Sequence, residues 1–125
     1  MKKIINTDNA PKALGPYSQG IISGNLVFCS GQIPLNPATG ELNQETIEVA
    51  TEQCILNLKA VLTEAGSSLE KALKVTIFVT DMRDFKRINE VYGKFFETSK
   101  PARACVEVSS LPAGAIIEMD AIAEL

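Results

Sequence analysis

Apolar side chains recur at Ile47, Ala50, Cys54, Leu58, Val61, Leu62 and Ala65, a spacing that lines one face of a helix from about Thr46 to Ala65. Gly66 stands where a helix-ending residue is needed. A second stripe, Phe85, Ile88, Tyr92, Phe95 and Phe96, predicts another helix, capped by Asp81 or Asp84 and ending before Pro101. Between them, Lys74 to Thr80 is β-branched and uncharged at its centre, which predicts a buried central strand. Upstream, residues 3 to 7 suit a short edge strand, and Asn9-Ala10-Pro11 and Leu14-Gly15-Pro16 read as irregular connection. Tyr17 to Ile22 and Leu26 to Ser30 then predict a hairpin around Ser23-Gly24-Asn25. Two prolines make Gln32 to Gly40 a loop.

Two alternating stretches follow the second helix, Pro101 to Val108 and Ala115 to Ile122, joined by the turn-rich Ser109 to Gly114. The pattern predicts an antiparallel hairpin in which Arg103 lies directly opposite Glu118, with Cβ atoms about 4.5 to 5.5 Å apart. Ala104, Val106, Val108, Ile117, Met119 and Ala121 would form an apolar face against the helices. Arg103, Cys105, Glu107, Ile116, Glu118 and Asp120 would share the other face, which is too mixed for a core and suits a cleft or a subunit boundary.

The order is thus strands, helix, strand, helix, hairpin. Right-handed crossovers put both helices on one side of a mixed sheet, giving a two-layer α+β fold in a single domain spanning residues 1–125. A sheet this apolar with one bare face is expected to hide that face by oligomerising.

Composition narrows the chemistry. A hydrophobic fraction of 46% and a charged fraction of 22% are those of an ordinary globular protein. A net charge of -3 gives no footprint for nucleic acid or anionic membrane, and no apolar run approaches the roughly 18 residues of a membrane span. The basic N-terminus lacks the apolar segment of a signal peptide, so a cytoplasmic location is expected. Cys29, Cys54 and Cys105 are odd in number and widely spaced, which suits reduced thiols. With no histidine in the chain, Ser-His and Cys-His pairs are excluded and a metal site is not expected.

Each candidate residue has a plain structural reading beside its functional one. Arg103 with Glu118 is most simply a cross-strand ion pair; the sharper reading has the guanidinium grip a substrate carboxylate while Glu118 handles a water. Cys105 has no evident activating base and reads first as a packed thiol. Asn89 interrupts the apolar stripe of the second helix, either at an exposed edge or to position something. Tyr17 is a core aromatic or a ligand-contacting ring, and Ser30-Gly31 is a bend or a place where backbone approaches a ligand closely.

Four motifs, Gly15-Pro16-Tyr17-Ser18-Gln19, Val27 to Pro34, Pro101 to Val106 and Ile117 to Ala123, together resemble the RidA/YjgF family in order and spacing. The resemblance implies a chorismate-mutase-like fold and a homotrimer with ligand clefts between neighbouring subunits. It further implies deaminase activity without a cofactor, hydrolysing 2-iminobutanoate and 2-iminopropanoate to 2-oxo acids and ammonia. On this resemblance Arg103 would hold the substrate carboxylate and Glu118 would orient or deprotonate water. Cys105 and Gly31 would contribute backbone contacts with Ser30 beside them, and Tyr17 and Asn89 would line the cleft, Tyr17 from the adjacent subunit. A non-catalytic trimer that binds 2-oxo acids is the alternative. RNA cleavage or translation inhibition, attached to some relatives, ranks below it for an acidic chain without histidine.

Overall fold

The computed structural model describes all residues, Met1–Leu125. Six strands, β1 (Lys3–Ile5), β2 (Gly20–Ser23), β3 (Leu26–Gln32), β4 (Ala72–Val79), β5 (Ala102–Glu107) and β6 (Ile117–Glu124), form one sheet in the order β1-β2-β3-β6-β4-β5. The helices α1 (Ile47–Glu64) and α2 (Phe85–Phe96) pack on one side of it, as the two stripes predict. The Thr46 hydroxyl caps α1 by accepting from the Val49 N–H, and Gly66, at φ +86°, sits just past its end. Asp81 accepts from the Arg83 N–H ahead of α2, whereas Asp84 occupies the cap position without a side-chain bond.

The core lies between α1, α2 and the covered face of the sheet. Val75, Ile77 and Val79 of β4 and Ile117, Met119, Ala121 and Ala123 of β6 are buried against the apolar stripes of the helices. β2 and β3 form the expected hairpin, Ser23 facing Leu26, although β2 starts at Gly20 and leaves Tyr17 in the preceding loop.

One predicted pairing does not form. β5 and β6 are not a hairpin: β5 runs parallel to β4 on one edge, and β6 runs antiparallel to both β4 and β3, so β4 separates them. The crossover through α2 does make β4 and β5 parallel neighbours. The crossover through α1 leaves β3 and β4 parallel but not adjacent, because β6 inserts between them. The reason lies in composition. Ile117, Met119, Ala121 and Ala123 make β6 a strand with one fully apolar face, fit for the sheet centre. β5 follows Pro101, carries Arg103 and Glu107, and stays largely exposed, as an edge strand tolerates.

The faces of β5 are also inverted relative to the prediction. Arg103, Cys105 and Glu107 lie beside Val75, Ile77 and Val79 and so point to the helix side. The side chain of Glu107 accepts from the Met82 N–H at 2.8 Å in the turn before α2. Ala104 and Val106 point the other way, beside Thr76 and Phe78. The β6 assignment stands, with Glu118 and Asp120 on the open face opposite Phe78 and Thr76. That open face carries a broad apolar surface, including Ile4, Phe28 and Val106, all exposed.

Candidate active site

Arg103 and Glu118 therefore lie on opposite faces of the sheet. Two inter-strand steps and three residues along β4 separate them, which places their Cα atoms about 14 Å apart. Within one chain they cannot touch the same small molecule. Each instead belongs to its own cleft.

The first cleft, of about 720 Å³, gathers Tyr17, Ser30, Gly31 and Glu118, with Leu14 and Ile33 among its apolar walls. The β3–β6 register shifts between Cys29 and Gln32, and this irregularity brings Gly31 against Glu118. A Cβ added at Gly31 would sit 2.5 Å from Glu118 Oε2 and 2.8 Å from Cδ, so only glycine leaves room for that carboxylate. Burial, and then the nearby charge of Asp120, push the Glu118 carboxyl above its ordinary value. Asp120 is raised by the same burial, partly offset by hydrogen bonding to Thr76 and by Lys74.

Ser30 spends its hydroxyl on the Ser18 carbonyl, and its backbone N–H donates to the Gln19 carbonyl at 2.9 Å. It is a tie for the segment carrying Tyr17. Gln19 is the larger anchor: its Oε1 accepts from the Thr7 N–H at 2.7 Å, while Nε2 donates to the carbonyls of Thr7 and Pro11 at 3.0 and 2.8 Å. The sequence places Gln19 inside a motif but assigns it no role; an amide beside a proline-broken loop is the signal that points to it. Asn57 does the same for the opposite wall, donating to the carbonyls of Ile33 at 3.1 Å and Leu35 at 2.9 Å and accepting from Gln53 at 2.9 Å. Its place inside the buried stripe of α1 was the available signal.

The second cleft, of about 660 Å³, lies where α2 meets the start of β5 and is lined by Asn89, Tyr92, Lys100, Pro101 and Arg103. Arg103 Nη1 donates to Asn89 Oδ1 at 2.7 Å, so the amide of Asn89 holds the guanidinium at the exposed edge of α2. Cys105 enters neither cleft and packs half-buried against the core, where burial raises its thiol despite the opposing influence of Arg103. Cys29 is pushed up to about 12 by burial, and Cys54 is raised by burial too, so both are un-ionised core thiols. No three His, Cys, Asp or Glu side chains gather around a possible metal position, and no helix is long and apolar enough to cross a membrane.

A family model described as endoribonuclease L-PSP matches residues 7–125. Reactive Intermediate Deaminase A, chloroplastic, from Arabidopsis thaliana is 44% identical, the match covering 99% of this chain and 66% of that protein. The crystal structure of a protein from Thermotoga maritima, described as an endoribonuclease, is 52% identical with a TM-score of 0.98, covering 100% of this chain and 98% of that one. The crystal structure of E. coli TdcF with bound serine is 44% identical with a TM-score of 0.93, covering 98% of each chain. With its sheet order, its two clefts and its four motifs, this chain belongs to the endoribonuclease L-PSP family, the RidA/YjgF family.

Proposed function

We propose that the chain hydrolyses small 2-imino acids, such as 2-iminopropanoate and 2-iminobutanoate, to 2-oxo acids and ammonium, in clefts shared between copies of a homotrimer. One observation carries the reading: an arginine held by neutral groups and a carboxylate with a raised pKa sit in separate half-sites that no single chain can join. The exposed apolar face of the sheet supplies a reason to associate, and association would bring the Arg103 cleft of one copy to the Glu118 cleft of the next. The deaminase name of the Arabidopsis relative supports the reaction class. Unpaired thiols suit a reducing, cytoplasmic setting.

The chemistry needs only groups of the chain and water. The guanidinium of Arg103 grips the substrate carboxylate through two parallel hydrogen bonds and turns C2 toward the partner cleft. C2 of a protonated imine is already electrophilic. A water adds to it while Glu118 takes one proton, and a raised pKa makes Glu118 the better proton acceptor. The product is a tetrahedral carbinolamine. Glu118 returns the proton to nitrogen, the C–N bond breaks, and ammonia leaves as the oxygen becomes the carbonyl of the 2-oxo acid. Tyr17 walls the cleft beside Glu118.

The test follows 2-iminobutanoate, generated in place by threonine dehydratase and trapped with semicarbazide. The parent protein is expected to suppress trapping, and Arg103→Ala to lose about ten- to hundredfold in kcat/KM, the loss of one charge-assisted contact. Parent-like hydrolysis by Arg103→Ala would refute the assigned role. A second reading is a non-catalytic binder of small carboxylates, favoured by the serine bound to TdcF. Tight binding of 2-oxobutanoate with no acceleration of imine loss would decide for it.

A further inference from the structure

We infer that Phe85 and Tyr92 are positioning residues, an aromatic cradle on α2 that aims the Arg103 guanidinium at a substrate carboxylate. The inference rests on Arg103 being the carboxylate anchor proposed above.

Phe85, Asn89 and Tyr92 stand at i, i+4 and i+7 of α2, so they share the helix face turned toward β5. Arg103 reaches across from β5 into that face. Its Cζ lies 4.8 Å from the centre of the Tyr92 ring and 5.4 Å from that of Phe85, both within cation–π range, while Asn89 takes one Nη1 hydrogen bond. Phe96 stacks on Tyr92 with centroids 4.4 Å apart and so fixes the ring that carries the guanidinium.

The choice of partners is the telling feature. Arg83 and Arg87 each pair with carboxylates, Asp81 for the first and Glu48 and Asp84 for the second. Arg103 pairs with none; its partners are two rings and an amide. Neutral groups restrict the rotamers of a long side chain without neutralising its charge, so the guanidinium keeps its full attraction for an incoming anion and loses little freedom when the anion arrives. A guanidinium serving only stability would gain more from a carboxylate, and Glu90 and Glu97 stand in the same cleft without being paired to it. Phe85 is only half-buried and contributes less to the core than the fully buried Ile88 beside it. Tyr92 is 8% exposed, and its hydroxyl has no partner, so the ring is the part of this residue at work.

The experiment measures the Kd of unreactive 2-oxobutanoate by calorimetry, with KM and kcat for 2-iminobutanoate, in Phe85→Leu, Tyr92→Leu, Tyr92→Phe and Arg103→Ala. Circular dichroism and sedimentation confirm that each variant is folded and assembled as the parent is. Phe85→Leu and Tyr92→Leu are expected to weaken binding and raise KM about five- to tenfold with kcat changed less than about twofold, the loss of one ring–cation contact. Tyr92→Phe keeps the ring and is expected to restore the affinity lost in Tyr92→Leu. Phe85→Leu is expected to have no further effect in an Arg103→Ala background. Parent-like Kd and KM in a folded Phe85→Leu, alongside lost binding in Arg103→Ala, would overturn the cradle alone. A Tyr92→Phe variant as weak as Tyr92→Leu would overturn the role given to the ring. Parent-like binding by Arg103→Ala would overturn the anchor and, with it, the cradle.

Discussion

A methyl group on Gly31 would collide with the far end of the Glu118 side chain, the carboxylate the proposed reaction uses. A flexible side chain can swing away at little cost to the fold, but the site has no such freedom. Gly31→Ala is therefore expected to unfold close to the parent in a urea titration while losing about a hundredfold in imine hydrolysis, the usual penalty for a misplaced reacting group. A large loss of stability with activity intact would contradict this reading of the contact. Glu118 carries a second consequence. Because burial and the Asp120 charge raise its carboxyl above 4.5, the folded chain holds that proton more tightly than the unfolded chain does. The charged side chain then opposes folding, fully so above the raised folded value, and the opposition vanishes below the unfolded value. Glu118→Gln should accordingly be more stable than the parent near pH 7, with the advantage fading by about pH 4. Equal stability of the two proteins at both pH values would show that burial places no strain on this carboxylate. In the parent, the acid limb of kcat/KM is expected at a pH above that of an ordinary glutamate, with activity lost as pH falls and the base becomes protonated.

Among the elements, α1 and β5 show what pattern can and cannot reveal. The stripe of α1 is read correctly because one face is buried along its whole length, so periodicity, the Thr46 cap and Gly66 all agree. Within that stripe, Asn57 pins the loop at Ile33 and Leu35 that walls the Glu118 cleft. Asn57→Leu would strand two part-buried carbonyls and is expected to cost about 1 to 2 kcal/mol in denaturant unfolding and to weaken substrate binding. A neutral result would assign that loop's order to other contacts. β5 is the opposite case. As an edge strand it is exposed almost throughout, so alternation alone does not say which face turns to the helices, and the hairpin with β6 was the plausible local answer. What decided the pairing is non-local: β6 has the apolar face a central strand needs, and α2 supplies rings for Arg103. The residue types of the site were thus readable through the four motifs, whereas two placements were not: Tyr17, expected from an adjacent subunit, shares a cleft with Ser30, Gly31 and Glu118 of its own chain, and Arg103 stands apart from Glu118.

For the whole molecule, that separation is the organising fact. The helix side of the edge strand carries the cation, and the open side of the central strand carries the carboxylate. A site that needs both must be closed by a second copy, and a trimer closes three such sites at once. Complementation tests this claim most directly: Arg103→Ala and Glu118→Gln chains, each expected to keep about a tenth of the parent's activity or less, are unfolded together, refolded in equal amounts, and assayed for hydrolysis of 2-iminobutanoate. If every site draws Arg103 from one copy and Glu118 from its neighbour, random mixing gives about one site in four both native residues, and activity should return to about a quarter of the parent's. Mixed assemblies no more active than either variant alone would contradict the shared site.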